Sequence, residues 1–210
     1  GGLTHQNEVK AAWYKMTSLI GRILGIEKGT DEYVKAIQKT IEKNGIAVSL
    51  EEVAADEKSL WVAYSLTDEN DENDISMNSV QAAVDGEALA LERQYALNNS
   101  TGSEKTASKY FVAKFNRSKA DRSQKFEIEI GTFQNENGQV EEKDAYEFSF
   151  TADPEVLEAD TKEIDIQTSI PIEKNQTFLL SEMKYNIFGC TISGSFSDMA
   201  EDDEFWIRGK

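Results

Sequence analysis

Two alternating apolar segments joined by a short polar link limit this chain more than any other feature. In "GIAVSLEEVAADEKSLWVAYSL", Ile46, Val48 and Leu50 alternate with Ala47, Ser49 and Glu51. Leu60, Val62, Tyr64 and Leu66 then alternate with Trp61, Ala63 and Ser65. A period of two in β-branched and aromatic residues belongs to a pleated strand with one buried face. The link suits a hairpin, so residues 46–53 and 60–67 are expected as an antiparallel pair. Asn44-Gly45 stands just before them and tolerates positive φ at both central positions of a type I′ turn. Ile37, Lys39 and Ile41 share one parity, which reads as a strand over 37–42 feeding that turn. A helix ending at Gly45 stays open as the alternative, because Tyr33, Ile37 and Ile41 also fall at i, i+4 and i+8. A short helical turn over 31–35, capped by Thr30 and followed by a strand, reconciles the two.

The same alternation recurs in Phe111, Ala113 and Phe115, in Phe126, Ile128 and Ile130, and in Tyr146, Phe148 and Phe150. "NENG" at 135–138 marks a turn between the last two sets. Glu127 and Glu129 separate the apolar residues and should face solvent. Strands at this spacing without intervening helices define a sandwich or barrel with one buried face per sheet.

The first residues differ. Val9, Trp13, Met16, Ile20 and Ile23 recur at spacings of three and four, while Lys10, Lys15, Ser18 and Arg22 take the other side. This is an amphipathic helix, with Gly25 as its stop. Its apolar stripe must bury somewhere, since an isolated helix of this length is marginal in water. Docking on the β-domain is expected, with a membrane or partner surface as the alternative. Near 153–161, "ADPEVLEADT" has no clean period and holds one of the chain's two prolines. Beyond it Ile164, Ile166, Ile170 and Ile172 resume strand character, and Cys190, Ile192 and Phe196 share one parity. Cys190 reads as a small buried apolar group. Three regions follow: a helix and connector over 1–29, a β-sandwich over 30–152, and an incomplete second β unit over 153–210.

Composition narrows the function. The formal net charge is −17 over 210 residues, the wrong sign for displacing counterions from nucleic acid. Residues 1–28 carry about +2 and the remainder about −19. One cysteine and one histidine exclude a Cys/His zinc site by count. They also exclude a Ser-His-Asp or Cys-His centre unless His5 acts from the chain terminus. "TDENDENDIS" at 67–76 offers oxygens to Ca²⁺. However, taking Asp68 as the first position, Asn73 stands where an EF-hand loop needs Gly, and Ser79 where it needs Glu. A solvated acidic loop is expected there, and likewise for "DMAEDDEF" at 198–205. No catalytic, cofactor or metal residue is assigned. Trp61 points opposite to Val62 and Tyr64, so it fills a second packing layer or meets a partner.

The segment "LIGRILGIEKGTDEYVKAIQKTIEKNGIAVSLEEVAADEKSLWVAYSL" resembles a bacterial family known as domain of unknown function 4179. The likeness lies in Leu24-Gly25-Ile26, Gly29, Tyr33, Asn44-Gly45, the Val48 to Val53 strand and the aromatic return from Leu60 to Leu66. It covers about residues 16–67, loosens over 75–150, and is weak beyond 160. It implies an immunoglobulin-like antiparallel β-sandwich on the outer face of a Gram-positive membrane. An upstream transmembrane helix and a cytoplasmic segment like an anti-sigma factor would precede it. The implied function is a non-catalytic domain that senses an envelope signal or binds a partner, linked to sigma-factor control. A structural or adhesive surface module is the alternative. Lys10, Trp13, Lys15, Arg22 and Trp61 are the candidate contacts with partner or membrane. The partner is an unnamed protein or cell-envelope ligand, and no cofactor is expected.

Overall fold

The computed structural model describes residues 18–26, 29–30, 32–56, 58–68, 78–97, 108–117, 124–136, 139–152, 160–172 and 177–197. The elements in chain order are α1 (Leu19–Leu24), β1 (Lys35–Lys43), β2 (Ile46–Ala55), β3 (Ser59–Asp68), β4 (Asn78–Val84) and β5 (Glu87–Leu97). They continue with β6 (Ser108–Asn116), β7 (Gln124–Glu136), β8 (Gln139–Ala152), β9 (Lys162–Pro171), β10 (Thr177–Asn186) and β11 (Gly189–Ser197). By contact the chain divides into two compact units, Gly1–Ala159 and Asp160–Lys210.

The Asn44-Gly45 question resolves as a hairpin. Lys43 pairs with Ile46, and the two residues between them have φ of 50° and 78°. Positive φ at both central positions is the type I′ turn, whose twist matches the flanking strands. β1 is therefore a strand and not a helix. Ahead of it, Tyr33 N–H bonds to Thr30 O at 3.0 Å, closing a single turn. The link between β2 and β3 is fixed by Asp56, whose Oδ1 accepts from Lys58 N and Ser59 N at 2.9 and 2.6 Å. A second two-residue turn, Asp85-Gly86 with φ of 50° and 83°, joins β4 to β5.

The first unit is one antiparallel sheet in the order β1-β2-β3-β6-β5-β4-β7-β8. Its end strands come back together, so the sheet nearly closes. Lys35 Nζ donates to Thr151 O at 2.9 Å and Lys39 Nζ to Ser149 O at 3.4 Å. Lys43 Nζ donates to Ala145 O, and Asn44 Nδ2 to the Asp144 carboxylate at 2.9 and 3.1 Å. Lysine ammoniums thus reach across the seam from β1 to carbonyls of β8. Charged side chains at a sheet end also discourage pairing with another chain. Inside lies one continuous apolar cluster, including Val48, Leu50, Val62, Tyr64, Phe115, Phe126, Ile130 and Tyr146, with Ile37 and Ile41 packed at its edge.

The architecture is mainly β and antiparallel, as the alternation implies, and is consistent with the expected sandwich or barrel: β1-β2-β3-β6-β5 and β4-β7-β8 are joined through the β4–β5 hairpin into one nearly closed sheet. β4 and β5 are a departure, because the sequence reading assigned no strands between 78 and 97. Of the expected N-terminal helix, α1 falls within the described residues. Ser18 caps it, its Oγ accepting from Gly21 N at 2.8 Å and donating to Thr30 Oγ1 at 2.9 Å. Gly25 ends it at φ 72°, a left-handed position that suits glycine. The helix packs on β2, β3 and β6, with Ile20 fully buried and its N–H bonded to Glu52 Oε1 at 2.7 Å.

The second unit is a three-stranded antiparallel sheet, β11-β10-β9. Cross-strand rows place Ile170, Phe178 and Phe196 on one side, with Ile164, Met183 and Ile192 further along the same side. The opposite side carries Glu163, Glu182 and Lys184, with Lys184 Nζ 3.3 and 3.2 Å from the two carboxylates. Cys190 belongs to the apolar side, as its parity with Ile192 predicts, yet it is exposed rather than buried. The alternation gave the correct side, but no layer among the described residues covers it.

Candidate functional site

Among the sequence candidates, Lys10, Trp13 and Lys15 lie outside the described residues, as do 198–205 and residues 69–76 of the acidic stretch 67–76. Thr67 and Asp68 instead end β3, and Asp68 is buried in the sheet rather than solvated in a loop. Arg22 sits in the last turn of α1, where a cation meets the negative end of the helix dipole. Trp61 is 4% exposed. It lies on the outer side of β3, in the same layer as buried Ile20 and Ala54, with the Lys114 ammonium 5.3 Å from its ring centroid. Lys114 is in turn held by Glu92 at 2.7 Å. Trp61 thus fills a second packing layer, and its indole is not presented to a partner. Of the five candidate contacts, Arg22 and Trp61 are the two within the described residues.

From the buried Tyr64 a polar network runs out from β3 to half-buried Asn78 of β4 and exposed Gln94 of β5. Tyr64 Oη donates to Asn78 Oδ1 at 2.7 Å, and Gln94 Nε2 donates both to Tyr64 Oη and, at 2.8 Å, to Asn78 Oδ1. Burial pushes the Tyr64 phenol well above its ordinary pKa, against a smaller lowering by Gln94. Tyr146 is similarly placed near the seam, donating to Lys43 O and Ile46 O, each at 3.2 Å. Its pKa is pushed up to about 12, by burial first and then by the Asp144 charge. These phenols stay protonated across the physiological range and act as fixed donors.

A groove of about 560 Å³ lies on the outer side of β4, β7 and β8, with Ala88 of β5 at its margin. Such a volume suits a small ligand or a few side chains of a partner. Two cross-strand rows build it: Gln81, Glu129 and Glu147 in one, and Ala83, Glu127 and Ser149 in the other. Ala83, Ala88 and Ser149 are small, which keeps the groove open. Glu129 directly opposes Glu147 in the β7–β8 register. Like charges at that position destabilise a sheet pair. Lys125 compensates only Glu127, at 3.2 Å. Among the described residues no group of three or more His, Cys, Asp or Glu is placed to hold a metal ion. The groove can therefore attract cationic groups, but its carboxylates do not converge into a metal cage.

The alternation of Glu127 and Glu129 with core residues was visible in the sequence. Their apposition to Glu147 depends on register and was not. The fold and groove together define a mainly β, barrel-like domain with an acidic outer groove. No protein-family model matches the chain, and no curated protein matches it. A solved structure, described as the conserved domain protein from Bacillus anthracis, shares the fold with a TM-score of 0.56 at 16% identity. The match covers 76% of this chain and 53% of that one, so the chain spans about half the length of that protein. At this identity the likeness concerns the fold alone.

Proposed function

We propose that this chain is a non-catalytic binding domain on the outer face of a Gram-positive membrane, which senses an envelope signal or partner and passes it to a sigma-factor regulator. The observation that carries the binding reading is the apposition of Glu129 and Glu147 in an open groove. Mutual repulsion of fixed carboxylates is a standing cost that a cationic partner relieves. Functional sites commonly retain such local cost. The extracytoplasmic setting, the anchor and the sigma-factor link rest on the sequence resemblance over residues 16–67. An immunoglobulin-like arrangement belongs to the same proposal. In it, the nearly closed sheet is viewed as two facing layers, β1-β2-β3-β6-β5 and β4-β7-β8.

The test is a double variant, Glu129→Gln with Glu147→Gln, in the membrane-anchored protein, read by a sigma-dependent reporter in cells. The expected result is a lost or constitutive reporter response, while the purified variant domain is slightly more stable, by a few tenths of a kcal/mol. An unchanged response would sink the groove reading. An unaffected reporter after deletion of the whole domain, with surface attachment lost instead, would favour a structural or adhesive module.

A further inference from the structure

Asn44-Gly45 forms the β1–β2 turn and also ends the seam. Tyr146 Oη donates to the carbonyls on either side of it, Lys43 O and Ile46 O, so the turn is held against β8. Asn44 is exposed, and its Nδ2 donates to both oxygens of half-buried Asp144, at 3.1 and 2.9 Å. Beside it, Lys43 Nζ donates to Ala145 O. The Asn44 amide therefore bridges β1 to a carboxylate of β8. Asn-Gly is also the dipeptide in which backbone attack on the side-chain amide is least hindered, because glycine has no Cβ to obstruct it. The bond that closes a four-residue turn runs from the fourth N–H to the first carbonyl, so it does not use Gly45 N–H.

We propose that Asn44 is a site of spontaneous deamidation, and that its conversion unlatches this end of the seam. Gly45 N attacks Asn44 Cγ and a Cγ–N bond forms. The Cγ–Nδ2 bond breaks, and Nδ2 leaves as ammonia with the Gly45 amide proton. Water then opens the resulting succinimide ring at either carbonyl, leaving aspartate or isoaspartate at position 44. The only co-reactant is water, and no group is oxidised or reduced. Both products loosen the seam. Aspartate sets a second carboxylate against Asp144, where the amide had donated two hydrogen bonds, so attraction becomes repulsion. Isoaspartate routes the main chain through the side chain, and the added methylene breaks the Lys43–Ile46 register that a two-residue turn fixes. Asp144 also guards the site, because Cγ reaches Gly45 N only after Nδ2 leaves the carboxylate. Conversion proceeds through local opening of the seam and then favours the open state.

Peptide mapping of the full chain, incubated folded and in urea at mildly alkaline pH, tests this. Mapping separates Asn44 from Asn137-Gly138, a second Asn-Gly in the sequence. The expected result is aspartate and isoaspartate at position 44 of the folded chain, formed more slowly than in urea. Asp144→Ala accelerates it at least about threefold, the scale of one net hydrogen bond. Asn44→Asp supplies one product directly. It keeps the turn, because Asp85-Gly86 makes the same turn in this chain with φ of 50° and 83°. It lowers the Tm of the first unit by about 2–4 °C and speeds amide exchange at the turn. Combining Asn44→Asp with Asp144→Asn exchanges donor and acceptor and restores both readouts. Asn44 intact in the folded chain after the urea sample has converted overturns the proposal. So does an unchanged rate in Asp144→Ala, an unchanged Tm and exchange in Asn44→Asp, or a double variant that restores neither.

Discussion

β7 and β10 have the same local circumstances. Each lies between two antiparallel neighbours, and each carries several large apolar residues. Yet Phe126, Ile128 and Ile130 of β7 are at most 2% exposed, whereas on the apolar side of β10 Phe178 is 8% exposed and Tyr185 41%. Both are paired along most of their length with each neighbour, so ladder formation by itself does not separate them. What separates them is closure. β7 belongs to a sheet whose ends meet across a lysine seam, so its inner side faces other inner sides. β10 belongs to a sheet with no facing layer among the described residues. A ladder fixes where side chains point, and only a second layer makes burial energetically useful.

The largest effect should come from the closed core. Phe126→Ala, which removes a fully buried ring stacked at 5.5 Å on Phe150, is expected to cost about 3–5 kcal/mol in urea unfolding of the first unit. A loss below about 1 kcal/mol would mean the barrel interior is loosely packed and the contrast with β10 is wrong.

Gly45→Val should come next, at about 1–3 kcal/mol, because a β-branched residue resists the φ of 78° that the β1–β2 turn requires. A shift of less than about 0.5 kcal/mol would indicate that the seam strand contributes little to closure.

Alkaline pH probes the same region. The Tyr146 phenol, pushed up to about 12, holds its proton more tightly in the native state than in the unfolded chain, where its pKa is about 10. Stability from this group is therefore fully present below about pH 10 and falls as pH rises towards 12. Tyr64 acts in the same direction. Unfolding measured at pH 9, 10 and 11 should show the decline, and Tyr146→Phe should make it shallower. A slope identical in Tyr146→Phe would remove Tyr146 as its source.

The smallest change is expected from Ile170→Ala on the apolar side of the second unit's sheet, within about 0.5 kcal/mol. A cost comparable to that of Phe126→Ala would show that this side is covered.

Much of the fold was legible from residues alone. The 46–53 and 60–67 hairpin, the Asn44-Gly45 turn and the strands around Phe111, Phe126 and Tyr146 all carry a clear period of two. β4 and β5 were missed because "SVQAAVDGEALALERQYAL" is rich in Ala, Leu, Glu, Gln and Arg, whose intrinsic preference is helical. Pairing with β6 and β7 overrides that preference. The one local clue was Asp85-Gly86, a type I′ turn signal of the same kind as Asn44-Gly45. The groove was half legible. Glu127 and Glu129 were read as outward, but Glu147 joins them only through the register of β7 on β8.

By itself the sequence determined the side to which each strand residue points, since the period of two is a steric property of the pleated backbone. It also determined the two tight turns whose residues tolerate positive φ. Tertiary structure decided which sides became interiors. Trp61 is buried on the side of β3 where Lys114 lies over its ring, while Cys190, equally well placed by parity, stays exposed. It also decided that one sheet closes on itself and that Glu129 meets Glu147. Register and closure are set by the summed burial of residues far apart in the chain. That sum is not written in any local stretch.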